Sequence, residues 1–266
     1  MHLRILVSAF LFSGNEYLSA MRYFAELAYR GTNYHGWQKQ KNAPSVQETI
    51  QQAFSTIISV EEVVGCGRTD TGVHASQYFM HFDFEGEFPE GFLRRVNKFL
   101  DADIVIKRIF EVSNEAHARF DAVERSYTYY ITRNKDPFRY DLAWHYPFFD
   151  KLDLAKLSEV ADLLQQYTEF APFCKTNSDA KTMKCELSRA EWVLSGDGNE
   201  LSFHISANRF LRGMVRLIVG ACINAGIGML GVEEIQKALD EQSPLKKSWS
   251  VPAHGLFLCD VKYSFI

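Results

Sequence analysis

The chain has no Cys-x-x-Cys pair: its five cysteines, Cys66, Cys174, Cys185, Cys222 and Cys259, are odd in number and scattered over 266 residues. That excludes a disulfide frame and a zinc ribbon, and reads as reduced thiols in a cytoplasmic protein. Eight histidines show no His-Glu-x-x-His or similar metal spacing. No apolar stretch is long enough to cross a bilayer. An excess of basic charge is missing too: 29 Lys and Arg stand against 33 Asp and Glu, a formal charge of −4. Such a chain does not coat nucleic acid indiscriminately, so any RNA binding must come from a local basic surface on an acidic body. At 47% apolar residues the chain can still bury one large domain or two small ones.

What the sequence does have is one unusually loaded stretch, Gly65-Cys66-Gly67-Arg68-Thr69-Asp70-Thr71-Gly72-Val73-His74-Ala75. It follows an apolar run, Val60 to Val64, and precedes an alternating one, Tyr78 to Phe84, which is the layout of a tight loop between strands. Its glycines permit close backbone approach, and between them sit a cation, a carboxylate and two hydroxyls. A connector that only turned the chain would not need them. Asp70-Thr71-Gly72 matches the aspartic-protease triplet, but that chemistry needs two carboxylates sharing a proton, and no second Asp-Thr-Gly or Asp-Ser-Gly exists. Gly65-x-Gly67 lacks the third glycine of a dinucleotide fingerprint and leads into a strand.

Periodicity orders the rest. Arg22 to Arg30 alternates as a strand; Gly31 to Asn42 is a loop whose Trp37 is expected to pack beneath it. Pro44-Ser45 opens a helix with Val46, Ile50, Ala53, Phe54, Ile57 and Ile58 on its core face. Pro89 to Leu100 predicts a second helix and Ile104 to Ile109 a strand, completing a split βαβ order. The pattern then repeats loosely. Ser126 to Thr132 reads as a strand, Asp153 to Gln166 as a helix, and Met183 to Leu194 and Leu201 to Ala207 as a strand pair. Arg209 to Ala225 reads as a long helix, Val232 to Glu241 as a shorter one, and Phe257 to Tyr263 as a last strand. The fold class is α+β, with two split-βαβ halves: 21–121 carrying the Asp70 loop, and 122–266 completing a cleft. Residues 1–20 stand apart as an extension, with Met21 the expected working start. Pro137 to Pro147 is expected to pack between the halves, and Phe170 to Asp179 reads as a loop.

Gly67 to Ala75 closely resembles the catalytic loop of the TruA family of tRNA pseudouridine synthases, Gly-Arg-Thr-Asp-(Ser/Thr/Ala)-Gly-Val-His-Ala. Further blocks are similar to that family in the same order. They are Tyr29 to Gln40, Ser45-Val46-Gln47-Glu48, Arg125-Ser126-Tyr127-Thr128-Tyr129, Met214-Val215-Arg216-x-Ile218-Val219-Gly220 and Pro252-Ala253-His254-Gly255-Leu256. Together they run from about residue 22 to the carboxyl terminus, and Phe173-Cys174-Lys175 resembles a segment near the family's cleft. The resemblance implies a pseudouridine synthase fold, two halves joined in one antiparallel sheet. It implies isomerisation of uridine to pseudouridine at positions 38, 39 and 40 of the tRNA anticodon stem-loop. It also implies a homodimer cradling the tRNA, in the cytoplasm.

That isomerisation breaks the bond from the sugar to N1, turns the base and joins C5 to the sugar. It moves no electrons to an acceptor and adds no group, so no cofactor and no metal are expected. It needs a nucleophilic carboxylate, and Asp70 fits, with a cation expected beside it. Arg209, Arg212 and Arg216, spaced three and four apart, are expected to share one helix face. Arg216, at the family's Met-Val-Arg position, is the candidate ion-pair partner of Asp70. Arg209 and Arg212 are assigned to RNA phosphates, and Arg68 to the flipped nucleotide or a phosphate. Tyr127 is the first tyrosine of the Arg-x-Tyr-x-Tyr block; by resemblance it stacks on the target base, and its hydroxyl is a candidate acceptor for the C5 proton. His74 is expected to orient the loop. The rival readings are a non-catalytic RNA-binding relative, which should have lost Asp70, and a hydrolase that would recruit Glu26 or Asp83 as a second acid.

Overall fold

The structure, a computed structural model, describes residues 20–175 and 181–266. The amino-terminal extension up to residue 19 and the end of the Phe170–Asp179 loop lie outside the described residues. In chain order the first half runs β1 (Met21–Tyr29), α1 (Val46–Ser55), β2 (Val64–Gly65), β3 (His74–Phe84), α2 (Phe92–Phe99) and β4 (Ile104–Glu111). The rest follows as β5 (Ala122–Thr132), β6 (Trp144–His145), α3 (Leu154–Leu164), β7 (Leu187–Leu194), β8 (Glu200–Ala207), α4 (Met214–Gly226), α5 (Val232–Asp240) and β9 (Leu256–Tyr263).

Local chemistry sets the helix ends. The Ser45 hydroxyl accepts from Glu48 N at 3.3 Å to cap α1, and the Asp153 carboxylate accepts from Ala155 N and Lys156 N to cap α3. The helix expected over Arg209 to Ala225 is shorter. α4 begins only at Met214, because Gly213 takes a left-handed φ of +71° and breaks the turn before it. Arg209 and Arg212 therefore precede the helix and do not share its face with Arg216; the three-and-four spacing ran on through a loop by coincidence. Apart from Arg216 and Asn224, α4 carries no polar side chain, and Arg216 is its one residue that is not buried, as suits a helix in the middle of a core. The apolar run Val60 to Val64 yields only the two-residue β2, since Glu61 and Glu62 turn outward while Val60 and Val63 sink into the core.

Among the described residues nine strands form one sheet in the order β4-β1-β3-β9-β5-β8-β7, with β2 on β3 and β6 on β5. Pairing is antiparallel except at two short parallel contacts. β9 meets β3 at His74–Phe257 and Ala75–Leu258, and β6 meets β5 at Ile131–Trp144 and Thr132–His145. The last strand thus lies between the halves, antiparallel to β5 and parallel to β3. One apolar core gathers α1 and α2 on β1, β3 and β4; the other gathers α3, α4 and α5 on β5, β7 and β8. Tyr127 packs against both. Alternation explains the second: Tyr129, Ile131, Leu201, Phe203 and Ile205 point to the helices, while Ser126, Thr128, Ser206 and His204 line the opposite, polar face.

Candidate active site

The Asp70 loop hangs between β2 and β3 on a floor of rings. Trp37 stacks on Tyr78 at 4.2 Å, and Tyr29 meets Tyr78 edge-on at 5.5 Å. All three are buried, so the loop over residues 31–42 does tuck Trp37 beneath the site. These groups grip the loop backbone from below. The Tyr78 hydroxyl donates to Gly67 O, Trp37 N donates to Thr69 Oγ1 at 3.1 Å, and Tyr29 Oη shares a hydrogen bond with Thr69 Oγ1 at 2.9 Å. Burial pushes both phenols well above their ordinary range, so they stay neutral. The two loops also touch directly. Gly36, at φ +87°, lies so near Thr69 that a Cβ there would sit 2.2 Å from its carbonyl oxygen.

Asp70 sits above this floor, its side chain 27% exposed. Arg216 Nη1 reaches Asp70 Oδ2 at 3.1 Å, while Arg216 Nε donates to Val251 O at 2.8 Å, which fixes the guanidinium in place. Lys175 Nζ lies 3.6 Å from the same Oδ2. Two cations therefore converge on one carboxylate oxygen, and neither engages Oδ1. Tyr127 is half-buried and edge-on to Phe210 at 5.1 Å. Burial pushes its phenol up; the Cys66 thiol and the Asp70 carboxylate add to the shift and Arg125 opposes it.

Other side chains tie the loop to the second half. Arg125 donates to Cys66 O from Nε at 3.2 Å and from Nη2 at 2.7 Å. Its remaining bonds go to the carbonyls of Ala122, Arg119 and Asn208. One guanidinium thus joins the start of the Asp70 loop to β5 and to the turn after β8. The sequence placed Arg125 at the head of its tyrosine block without showing this task. His74 is fully buried, and its ring is read unambiguously from its partners. Gly31 N donates to Nδ1 at 2.9 Å, so the proton is on Nε2, which donates to His254 O at 3.1 Å. Burial lowers its pKa and keeps it neutral. It holds the loop between β1 and the segment before β9.

Pro137 to Pro147 does two things. Asp141 accepts from Arg30 Nε and Thr32 Oγ1, both at 2.9 Å, and Ala143 and Tyr146 are buried. Phe138 and Tyr140, however, are 89% and 69% exposed, so this end projects instead of packing. Arg68 is exposed on the loop, Arg212 is exposed ahead of α4, and Arg209 is partly buried. The carboxylates a hydrolase would need are committed elsewhere: Glu26 to Arg108, Lys107 and Gln77, and Asp83 to Arg22. Among the described residues no three of His, Cys, Asp and Glu are grouped to hold a metal ion, and no helix is long and apolar enough to cross a membrane.

A family profile described as tRNA pseudouridine synthase matches residues 167–264. The chain is 43% identical over 246 residues to the tRNA pseudouridine synthase A of Porphyromonas gingivalis, covering 91% of this chain and 97% of that one. It is 43% identical over 249 residues to the protein of the same name from Bacteroides fragilis, covering 92% and 98%. With that of Bacteroides thetaiotaomicron the identity is 44% over 245 residues, covering 91% and 90%.

Proposed function

The chain belongs to the tRNA pseudouridine synthase A family, isomerases that convert uridine to pseudouridine in tRNA, and we propose that its targets are uridines 38, 39 and 40 of the anticodon stem-loop. The reading rests on one observation above all: a partly exposed carboxylate, Asp70, held on a rigid loop with the anchored Arg216 against one of its oxygens. Asp70 is the nucleophile, and Arg216 pairs with it and aims it. The target uridine leaves its stack to reach it. The face of Tyr127 receives the base. A phenol held neutral is a poor proton acceptor, so we assign Tyr127 its ring and not its hydroxyl. Arg68, Arg209 and Arg212 track RNA phosphates from the loop and from the turn before α4. Neighbouring targets are served because recognition is by backbone and shape. The acting species is a cytoplasmic homodimer, residues 21–121 supplying Asp70 and residues 122–266 closing the cleft.

Tritium release from C5 of uridine-labelled tRNA, with the product mapped by position, tests this. Wild type should release tritium and modify positions 38–40, and Asp70→Asn should release none while its melting temperature holds. Product confined to other positions would overturn the target assignment. Asp70→Asn within about tenfold of wild type, roughly 1.4 kcal/mol of barrier, would overturn the nucleophile.

A further inference from the structure

Lys175 has no assigned task, yet the fold takes trouble to deliver it. Its amide donates to Arg212 O at 3.0 Å, and its stem lies flat over Gly213. A Cβ on Gly213 would come within 2.7 Å of Lys175 Cε, 2.8 Å of Cδ and 2.9 Å of Cγ. The glycine that starts α4 is thus also the floor on which the lysine stem runs. At the end of that stem the ammonium stands 3.6 Å from Asp70 Oδ2, the oxygen already bonded by Arg216. The two cations are not alike. Arg216 is 15% exposed and locked by Val251; Lys175 is 36% exposed and makes an ion contact too long for a good hydrogen bond. Such a partly exposed contact costs little to exchange for another.

We propose that Lys175 is a second catalytic cation, which leaves Asp70 as the target nucleotide enters and lies against its uracil ring. The inference rests on Asp70 being the nucleophile. When the bond from C1′ to N1 breaks, its electron pair stays on the uracil, spread over N1 and O2, and Asp70 Oδ1 takes the sugar carbon. If Asp70 adds to C6 of the base instead, the pair moves to C5 and O4. By either route the ring gains one negative charge before it gains or loses a proton. That charge comes from Asp70, which is neutral once bonded; Arg216 stays fixed to Val251 O and does not follow it onto the ring, whereas Lys175 is within a side chain's swing. The ammonium neutralises that charge without giving up a proton, and returns to Asp70 on release.

Lys175→Met keeps an unbranched apolar stem over Gly213 and removes the charge; Lys175→Arg keeps the charge. Single-turnover conversion of tRNA, tRNA affinity across salt, and melting temperature are measured for both. Lys175→Met should slow turnover tenfold or more with affinity and melting temperature unchanged, and Lys175→Arg should recover part of the rate. On tRNA carrying 5-fluorouridine, whose ring bears negative charge more easily, consumption of the target nucleotide should show a smaller deficit for Lys175→Met. Full turnover by Lys175→Met would overturn the proposal. So would a loss confined to affinity and its salt slope, which would mark a phosphate contact. An equal deficit on both tRNAs would also overturn it, reducing Lys175 to holding Asp70. Asp70→Asn at wild-type rate would remove the nucleophile and this inference together; an inactive Asp70→Asn with a normal Lys175→Met would remove this inference alone.

Discussion

Thr69→Val tests how the site is held. Valine matches threonine in shape and replaces only the hydroxyl that Trp37 N and Tyr29 Oη share. Both partners belong to buried residues, Tyr29 being 4% and Trp37 2% exposed, so water does not readily take over. An orphaned buried polar group costs about 1–3 kcal/mol, so two such groups put the variant roughly 2–6 kcal/mol below wild type. For a chain of this size each kcal/mol lowers the melting temperature by about 2–4 °C, so the loss is about 4–24 °C. Tyr29→Phe made on top of Thr69→Val should then cost less than in the wild type, because it removes an already orphaned hydroxyl; the coupling should be about 1 kcal/mol. Activity should fall further than stability, since Asp70 is the next residue and a misplacement of about 1 Å costs about 10²-fold. Denaturant melts of the four proteins give the cycle, and tritium release gives the rate. A Thr69→Val protein within about 0.5 kcal/mol of wild type, or a cycle with no coupling, would refute the idea that this hydroxyl pins the loop.

Two further outcomes are expected. Tyr127→Phe should keep most turnover, because the ring is what is claimed, whereas Tyr127→Leu should lose roughly 1–3 kcal/mol of substrate affinity; a Phe variant slowed 10²-fold or more would return the proton acceptor to the hydroxyl. Stability should be level above about pH 6.5 and fall as pH drops toward 4. His74 and His81 are neutral in the fold, each accepting a backbone N–H at Nδ1, and burial lowers both, His81 to about 4 with Arg22 and His117 adding to the effect. The unfolded chain takes up protons first, near 6.5, so the stability these rings contribute is whole above that value and gone below their folded values. His81 alone contributes roughly 3 kcal/mol, read from urea melts at pH 8, 6 and 4; equal midpoints at pH 8 and pH 4 would contradict the assigned tautomers.

The Asp70 loop was legible because its residues are contiguous and lead into a strand of clear alternation. Trp37 was legible as packing because a ring that size in a polar loop has nowhere else to go. The failures share a cause. Arg209, Arg212 and Arg216 satisfy helical spacing, and only the backbone angle at Gly213 shows that the helix has not begun. Lys175 and Arg125 act through contacts to a carboxylate and a carbonyl more than forty residues away, and nothing local in the sequence marks such partners. The parallel join of β3 to β9 was hidden for the same reason: each strand alternates correctly alone, and which edge receives the last strand is a decision of the whole fold.

That last strand carries a consequence for synthesis on the ribosome. The chain emerges in order, so β4, β1 and β3 can assemble while β9 is still unmade, and β3 meanwhile offers an open edge. β5 waits likewise on the other side. Only when residues 256–263 slide between them do both edges close, and with them comes the His254 carbonyl that His74 needs. The Asp70 loop therefore lacks this support until residues 254–263 have been translated. A chain cut before residue 254 has β3 and β5 without their β9 partner and an Asp70 loop without the His254 carbonyl, a greater loss than eight residues at a surface would bring.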